Sequence, residues 1–132
     1  MDKIRILLVD DEEDLLKIVG ASIASWGYDL IQALSCQEAM EAIRNQKPDL
    51  VILDYMMPGM DGIAVLGEIR KINSKIPVIM FTGYPEMDCI VKAGKLGVSG
   101  FVPKLGACNE PEGLLRANIR LVVSKLQKGL IS

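Results

Sequence analysis

Leu50-Val51-Ile52-Leu53-Asp54 sets four apolar residues in a row directly before a carboxylate. The run is too short for a helix and lacks polar alternation, which is the pattern of a strand buried on both faces of a parallel sheet. Working outward, residues 4–9, 78–81 and 100–102 read in the same way. Residues 29–34 are more polar around Gln32 and read as an edge strand. Each run is followed by a segment of helical period. Residues 12–26 place Leu15, Leu16, Val19 and Ile23 on one side and stop at Gly27, a C-terminal cap. Ser35 is placed to cap residues 37–45, with Glu38 at the capping-box position. Asp61 caps residues 62–72, Pro77 opens the next strand, and residues 86–96 end at Gly97. Asn109 or Glu110, with Pro111 in the first turn, starts a last helix that runs to about Gln127.

Five strand-helix repeats joined by short connections predict an open α/β domain, because right-handed crossovers cover both sheet faces with helices. No linker interrupts the 132 residues, so residues 1–132 are read as one domain, a length that suits a single core. Half the residues are hydrophobic and 24% are charged. The net charge of −2 leaves no electrostatic footprint for nucleic acid or an anionic membrane. No apolar run approaches the ~20 residues that span a bilayer. The N-terminal apolar run leads into five acidic residues, Asp10 to Asp14, rather than a cleavage site. Cys36, Cys89 and Cys108 are widely spaced and odd in number, and they read as reduced, small core residues of a cytoplasmic protein.

The chain has no histidine. That removes every imidazole-dependent nucleophile, general base and metal ligand. The chain cannot itself carry phosphohistidine. Any metal must be held by oxygen, which favours Mg²⁺, Mn²⁺ or Ca²⁺.

In open α/β sheets ligands bind beyond the carboxyl ends of the strands, where strand order reverses. The first strand ends in Asp10-Asp11, the third in Asp54 and the fourth in Thr82, and the fifth leads to Lys104. If the strand order is 2-1-3-4-5, the three aspartates share one pocket. Their formal charge with Lys104 is −3 + 1 = −2, which one divalent ion brings to zero. Mg²⁺ fits, since it takes one or two carboxylates plus phosphate oxygens, with Mn²⁺ as a substitute. An ionised Asp54 can attack phosphorus and become an acyl phosphate. Phosphoryl transfer then needs mainly positioning and charge neutralisation. Thr82 can donate to a phosphoryl oxygen, and Gly83 leaves the approach open.

Four blocks now carry a resemblance: Leu8-Val9-Asp10-Asp11-Glu12, Asp54 through Gly62, Thr82-Gly83, and Gly97 through Phe101 leading to Lys104. Over nearly its whole length the chain resembles the receiver domain of two-component response regulators, the CheY-like superfamily. The resemblance implies a flavodoxin-like five-stranded sheet and a phosphorylation-dependent switch rather than a turnover enzyme, with Asp54 as phosphoacceptor. It implies Mg²⁺ held by Asp11, Asp54 and the backbone carbonyl of Met56, with Asp10 acting mainly through water. Thr82 and Phe101 resemble the family's switch pair. The implied partners are a sensor histidine kinase or a histidine phosphotransfer protein as donor, and an output partner or fused effector domain of unstated kind. Two departures stand out. The family has a proline after the lysine, whereas here Pro103 precedes Lys104 and Leu105 follows it, and the loop over residues 105–110 is somewhat longer than usual. The acidic residues that many dimerising members carry before the switch aromatic are replaced by Ser99-Gly100, which points to a monomer or weak dimer.

Simpler readings compete. Asp11 and Asp61 can merely cap helices, Thr82 can be a turn hydroxyl, Lys104 a solvated end and Phe101 a core ring. Met56, Met57 and Met60 can serve as an adaptable partner surface or only fill gaps, and Tyr84 stands where it can shield a phosphoryl group from water. A phosphohydrolase with an aspartyl nucleophile typically has a second Asp two residues after the first, and Met56 occupies that position. A receiver-like scaffold that is never phosphorylated is the third reading, against which the complete acidic pocket argues.

Overall fold

In a computed structural model of the chain, described over residues 3–54, 56–57, 60–82, 87–103 and 111–129, the apolar runs form a parallel sheet. Its strands are β1 (Arg5–Val9), β2 (Asp29–Ala33), β3 (Leu50–Leu53), β6 (Val78–Thr82) and β7 (Gly100–Pro103). They lie in the order β2-β1-β3-β6-β7, which is 2-1-3-4-5 when counted within this sheet. The register sets Val9 beside both Ala33 and Leu53, so β1 and β3 end level with each other. Strand β2 sits at the sheet edge, as its polarity indicates.

The alternation of side chains along each strand divides the core in two. Leu7, Val9, Val51, Leu53, Val78 and Met80 face one way. They pack against α2 (Cys36–Gln46), α3 (Gly62–Ile72) and α4 (Met87–Lys95) through residues such as Ala39, Leu66 and Ala93. Ile6, Leu8, Ile52, Ile79 and Phe81 face the other way, against α1 (Glu13–Ser25) and α5 (Pro111–Gln127). Every residue of β3 is buried, as the unbroken run at 50–53 requires. Each fully buried side chain of this size contributes roughly 1.5–3 kcal/mol, so the two half-cores hold the sheet between two helical layers.

The helix ends agree closely with the sequence. Gly27 at the end of α1 takes φ +98 and Gly97 after α4 takes +74, values that suit glycine. The Ser35 side chain accepts from Glu38 N at 3.2 Å, so Ser35 does cap α2. Leu34 N donates to Glu38 Oε1 at 3.3 Å, so Glu38 reaches one residue beyond the usual capping-box partner, Ser35 N. At the other end of α2, Arg5 Nη1 donates to Gln46 O at 2.8 Å and supplies a partner for a terminal carbonyl. Pro111 is the first residue of α5. The residues proposed to cap α5, and the side chain of Asp61 proposed to cap α3, lie outside the described residues.

One element was not legible in advance. Strands β4 (Met56–Met57) and β5 (Met60–Asp61) form a two-residue antiparallel ladder that pairs Met56 with Asp61 and Met57 with Met60. In the sequence Pro58-Gly59 is a pair of residue types that signals a turn, but two-residue strands leave no periodicity to read. The ladder begins two residues after Asp54, so it follows the end of β3 that carries this acidic residue.

Candidate functional site

The chain leaves β1 towards β2 on one side and returns to β3 on the other, so the reversal lies between β1 and β3. A crevice opens beyond the carboxyl ends of two such strands. Asp10 and Asp54 are the first residues past these ends, and backbone bonds fix both. Asp10 N donates to Ala33 O at 3.1 Å, and Asp54 N donates to Val9 O at 3.0 Å. The extension of each strand by one bond thus carries its carboxylate to the crevice.

The two carboxylates are almost fully buried, with Asp10 1% and Asp54 3% exposed. Asp11 is half-buried and Glu12 is exposed. One carboxylate oxygen from each of Asp10, Asp11, Glu12 and Asp54 lies within 4.8 Å of the others. Burying an ionised carboxylate is costly unless a cation or hydrogen bonds compensate it, and like charges at this separation add repulsion. Glu12 N donates to Asp10 Oδ1 at 3.0 Å, which meets part of that cost. An all-oxygen set of acidic groups is the donor chemistry of a hard divalent cation. The group can therefore hold a metal ion such as Mg²⁺.

The sequence brought Asp10, Asp11 and Asp54 to one pocket, and the structure does the same. Glu12 joins them without having been singled out. Its signal was the third consecutive acidic residue, which reads more simply as the start of a helix. It is in fact the N-cap residue of α1, the position for which Asp11 had been weighed.

The other candidates sit around this centre to different degrees. Met56 stands two residues beyond Asp54 at the start of β4. Thr82 is the last residue of β6, the strand next to β3, and pairs with Pro103. Phe101 pairs with Met80, two residues before Thr82, and its ring packs partly buried against the half-core under α2, α3 and α4. Lys104, Gly83 and Tyr84 lie outside the described residues, as do the side chains of Thr82 and of the three methionines. Cys36 packs against the same half-core as Phe101. Burial, helped by the charge of Glu68, pushes its thiol pKa up, as suits a small packing residue. The side chain of Cys89 and all of Cys108 are outside the described residues.

A sheet of this order with carboxylates at its reversal defines a class, and sequence comparison names it. The response regulator receiver domain model matches residues 6–115. The chain belongs to this family, the receiver domains of two-component signal transduction. Among curated relatives, the transcriptional regulatory protein ZraR of Escherichia coli (strain K12) is 41% identical over 103 residues, which are 78% of this chain and 23% of that protein. The alkaline phosphatase synthesis transcriptional regulatory protein PhoP of Bacillus subtilis (strain 168) is 33% identical over 116 residues, 88% of this chain and 48% of that protein. The chain thus spans less than half the length of these two relatives. Among solved structures, a response regulator receiver domain protein (CheY-like) from Methanospirillum hungatei JF-1 superimposes with a TM-score of 0.84 at 25% identity. That match covers 96% of this chain and 99% of the other. No helix among the described residues is long and apolar enough to cross a membrane.

Proposed function

We propose that residues 1–132 act as a receiver unit in which Asp54 accepts a phosphoryl group and so switches a partner interaction. The observation that carries this is the burial of Asp54 and Asp10 within 4.8 Å of two further carboxylates at the β1/β3 reversal. Asp10, Asp11, Asp54 and the main-chain carbonyl of Met56 would hold Mg²⁺, with Asp10 acting mainly through water. The ion supplies charge neutralisation for the phosphoryl oxygens.

Asp54 supplies the nucleophile. One of its carboxylate oxygens forms a bond to phosphorus, in line with the bond that breaks. In a phosphohistidine donor that bond is P–N, and the imidazole nitrogen keeps the electron pair and takes up a proton. The donor is then a sensor histidine kinase or a histidine phosphotransfer protein, since this chain has no histidine of its own. Thr82 donates to a phosphoryl oxygen and Lys104 pairs with another. Phe101 moves in step with Thr82, so the loops after β6 and β7 carry the response outward. Hydrolysis of the acyl phosphate later resets the site. Tyr84, which follows Thr82-Gly83 in the sequence, would shield the acyl phosphate from water and slow that reset. The unit operates in the cytoplasm as a monomer or weak dimer, without contacting nucleic acid itself. Since ZraR and PhoP bear the names of transcriptional regulators, an effector of transcription is the output most consistent with the relatives.

The test is phosphoryl incorporation from a small acyl-phosphate donor with and without Mg²⁺. The expected result is about one base-labile phosphoryl group per chain in the presence of Mg²⁺, and none in Asp54→Asn. Incorporation that persists in Asp54→Asn, or many phosphates released per chain, contradicts the proposal.

A further inference from the structure

We propose that a groove between the last turns of α2 and α3 binds a small organic carboxylate with an apolar body. The groove lies beside the segments that enter β3 and β6, at the opposite end of the sheet from the acidic residues, and does not depend on phosphorylation of Asp54. It has a volume of about 410 Å³, within the range of small-molecule pockets. Ile43, Pro48, Ile72 and Ile76 line it with apolar surface, and Arg44, Lys47 and Asn73 supply its polar side chains.

All three polar side chains offer donors. Asn73 Oδ1 already accepts from Lys75 N and Ile76 N, both at 3.0 Å, which leaves its amide N–H groups to give. Arg44 and Lys47 are exposed and form no ion pair or side-chain hydrogen bond among the described residues. No carboxylate side chain lines the groove. An apolar floor beneath two cations and an amide donor is complementary to an anion that carries hydrocarbon.

A simpler role for the two cations is to meet carbonyls where the helices end. Other groups meet the carbonyls there. Arg5 Nη1 donates to Gln46 O at 2.8 Å, and Arg70 Nη1 donates to Ile76 O at 2.6 Å and to Asn73 O at 3.4 Å. Lys47 also holds φ 48 and ψ 66, and it is the one non-glycine residue with positive φ among the described residues. Glycine is the usual choice after a helix end of this shape, and a side chain there costs stability. Strained residues of this kind cluster at ligand sites. The surroundings favour a small occupant over a protein. The exposed large hydrophobic residues among those described, Ile18, Leu34, Val91, Leu114 and Leu121, all lie away from the groove, so no apolar surface extends it into an interface.

The experiment titrates the ¹⁵N-labelled chain with octanoate, butanoate, 1-octanol and octyltrimethylammonium, following backbone amide shifts. Octanoate is expected to give saturable shifts centred on Lys47, Asn73 and Ile76. A fully buried methylene raises affinity about fourfold, and a half-open groove about twofold, so butanoate should bind about tenfold more weakly. Octanol should lose about three- to tenfold relative to octanoate, and the cationic probe should give no saturable shift there. Arg44→Gln and Lys47→Gln should each weaken octanoate about threefold. Lys47→Gly should weaken it equally while unfolding at a urea concentration no lower than wild type, an outcome that a purely structural lysine would not give. Absence of saturation, shifts centred elsewhere, octanol binding as tightly as octanoate, or unchanged octanoate affinity in both glutamine variants overturns the proposal. Loss of binding in Lys47→Gly together with a lower urea midpoint assigns Lys47 to the fold and overturns its part in the site.

Discussion

Arg70 offers the most quantitative test of how the fold holds the elements around the site. It lies near the end of α3, and its guanidinium reaches across to the turn after α4. Nε donates to Leu96 O at 2.6 Å and Nη2 to Gly97 O at 3.1 Å. Nη1 donates to Ile76 O at 2.6 Å and to Asn73 O at 3.4 Å. One side chain thus ties the end of α4 and the loop entering β6 to α3. Burial lowers the guanidinium pKa, as expected of a cation that has exchanged water for carbonyl dipoles. Hydrogen bonds from a charged donor contribute about 1.5–3 kcal/mol each. Counting only the two short bonds, and taking the low end because the residue is partly exposed, Arg70→Met should cost about 3 kcal/mol. Met keeps an apolar stem of similar reach, so packing is largely preserved. For a chain of this length that loss corresponds to a fall in melting temperature of roughly 10 °C. Arg70→Lys should recover less than half, because an ammonium cannot address carbonyls on two segments at once. Urea unfolding monitored by far-UV circular dichroism measures the stability. Hydrogen exchange should show faster loss at Gly97 and Val98, whose amides bond to Gly94 O and Ala93 O within the same turn. A stability for Arg70→Met within about 0.5 kcal/mol of wild type would refute the reasoning.

Gly20 in α1 lies against β2, where an added Cβ would come within 2.5 Å of Gln32 Nε2 and 2.8 Å of Leu30 Cδ2. Gly20→Ala must therefore displace the Gln32 side chain from Leu16 O and should destabilise by about 1 kcal/mol despite alanine's helix propensity, whereas Gly67→Ala in α3, with nothing near its Cβ, should stabilise by about 0.5–1 kcal/mol in the same urea titration. The Cys36 thiol, whose pKa is raised by burial and then by Glu68, should alkylate more slowly in the folded than in the unfolded chain at mildly alkaline pH, as read by mass spectrometry of its peptide. Because the folded pKa is the higher one, the stability tied to the neutral thiol is full below the unfolded pKa and is lost as pH rises through the folded value.

The parts of this molecule that could be read beforehand are those in which a local pattern has only one physical solution. An unbroken apolar run such as residues 50–53 is compatible with burial on both faces and little else, and it became the fully buried β3. Ser35 and Gly27 marked helix ends because capping and positive φ each demand particular residue types. Asp10, Asp11 and Asp54 were legible because each stands just past the carboxyl end of a strand, a position that topology alone turns into a crevice. Features made by tertiary convergence were harder. The clamp of Arg70 joins residues up to 27 positions apart in sequence, and locally the residue reads only as a cation in the last turn of a helix. Glu12 was hidden in the same way, because an acidic residue at the start of a helix already has a sufficient local explanation. The β4–β5 ladder is two residues long in each strand and carries no periodic signal.

The central claim is that the carboxylate of Asp54, held at the end of β3 by its bond to Val9 O, is the one that becomes an acyl phosphate. The direct measurement is to load the protein with phosphoryl groups in Mg²⁺, reduce the product with borohydride, which converts an aspartyl phosphate to homoserine, and sequence the peptides by mass spectrometry. The account predicts homoserine at position 54, formed only when Mg²⁺ and the donor are both supplied. Homoserine at Asp10 or Asp11 instead, or an unmodified Asp54 in a chain that has demonstrably taken up phosphate, would contradict it.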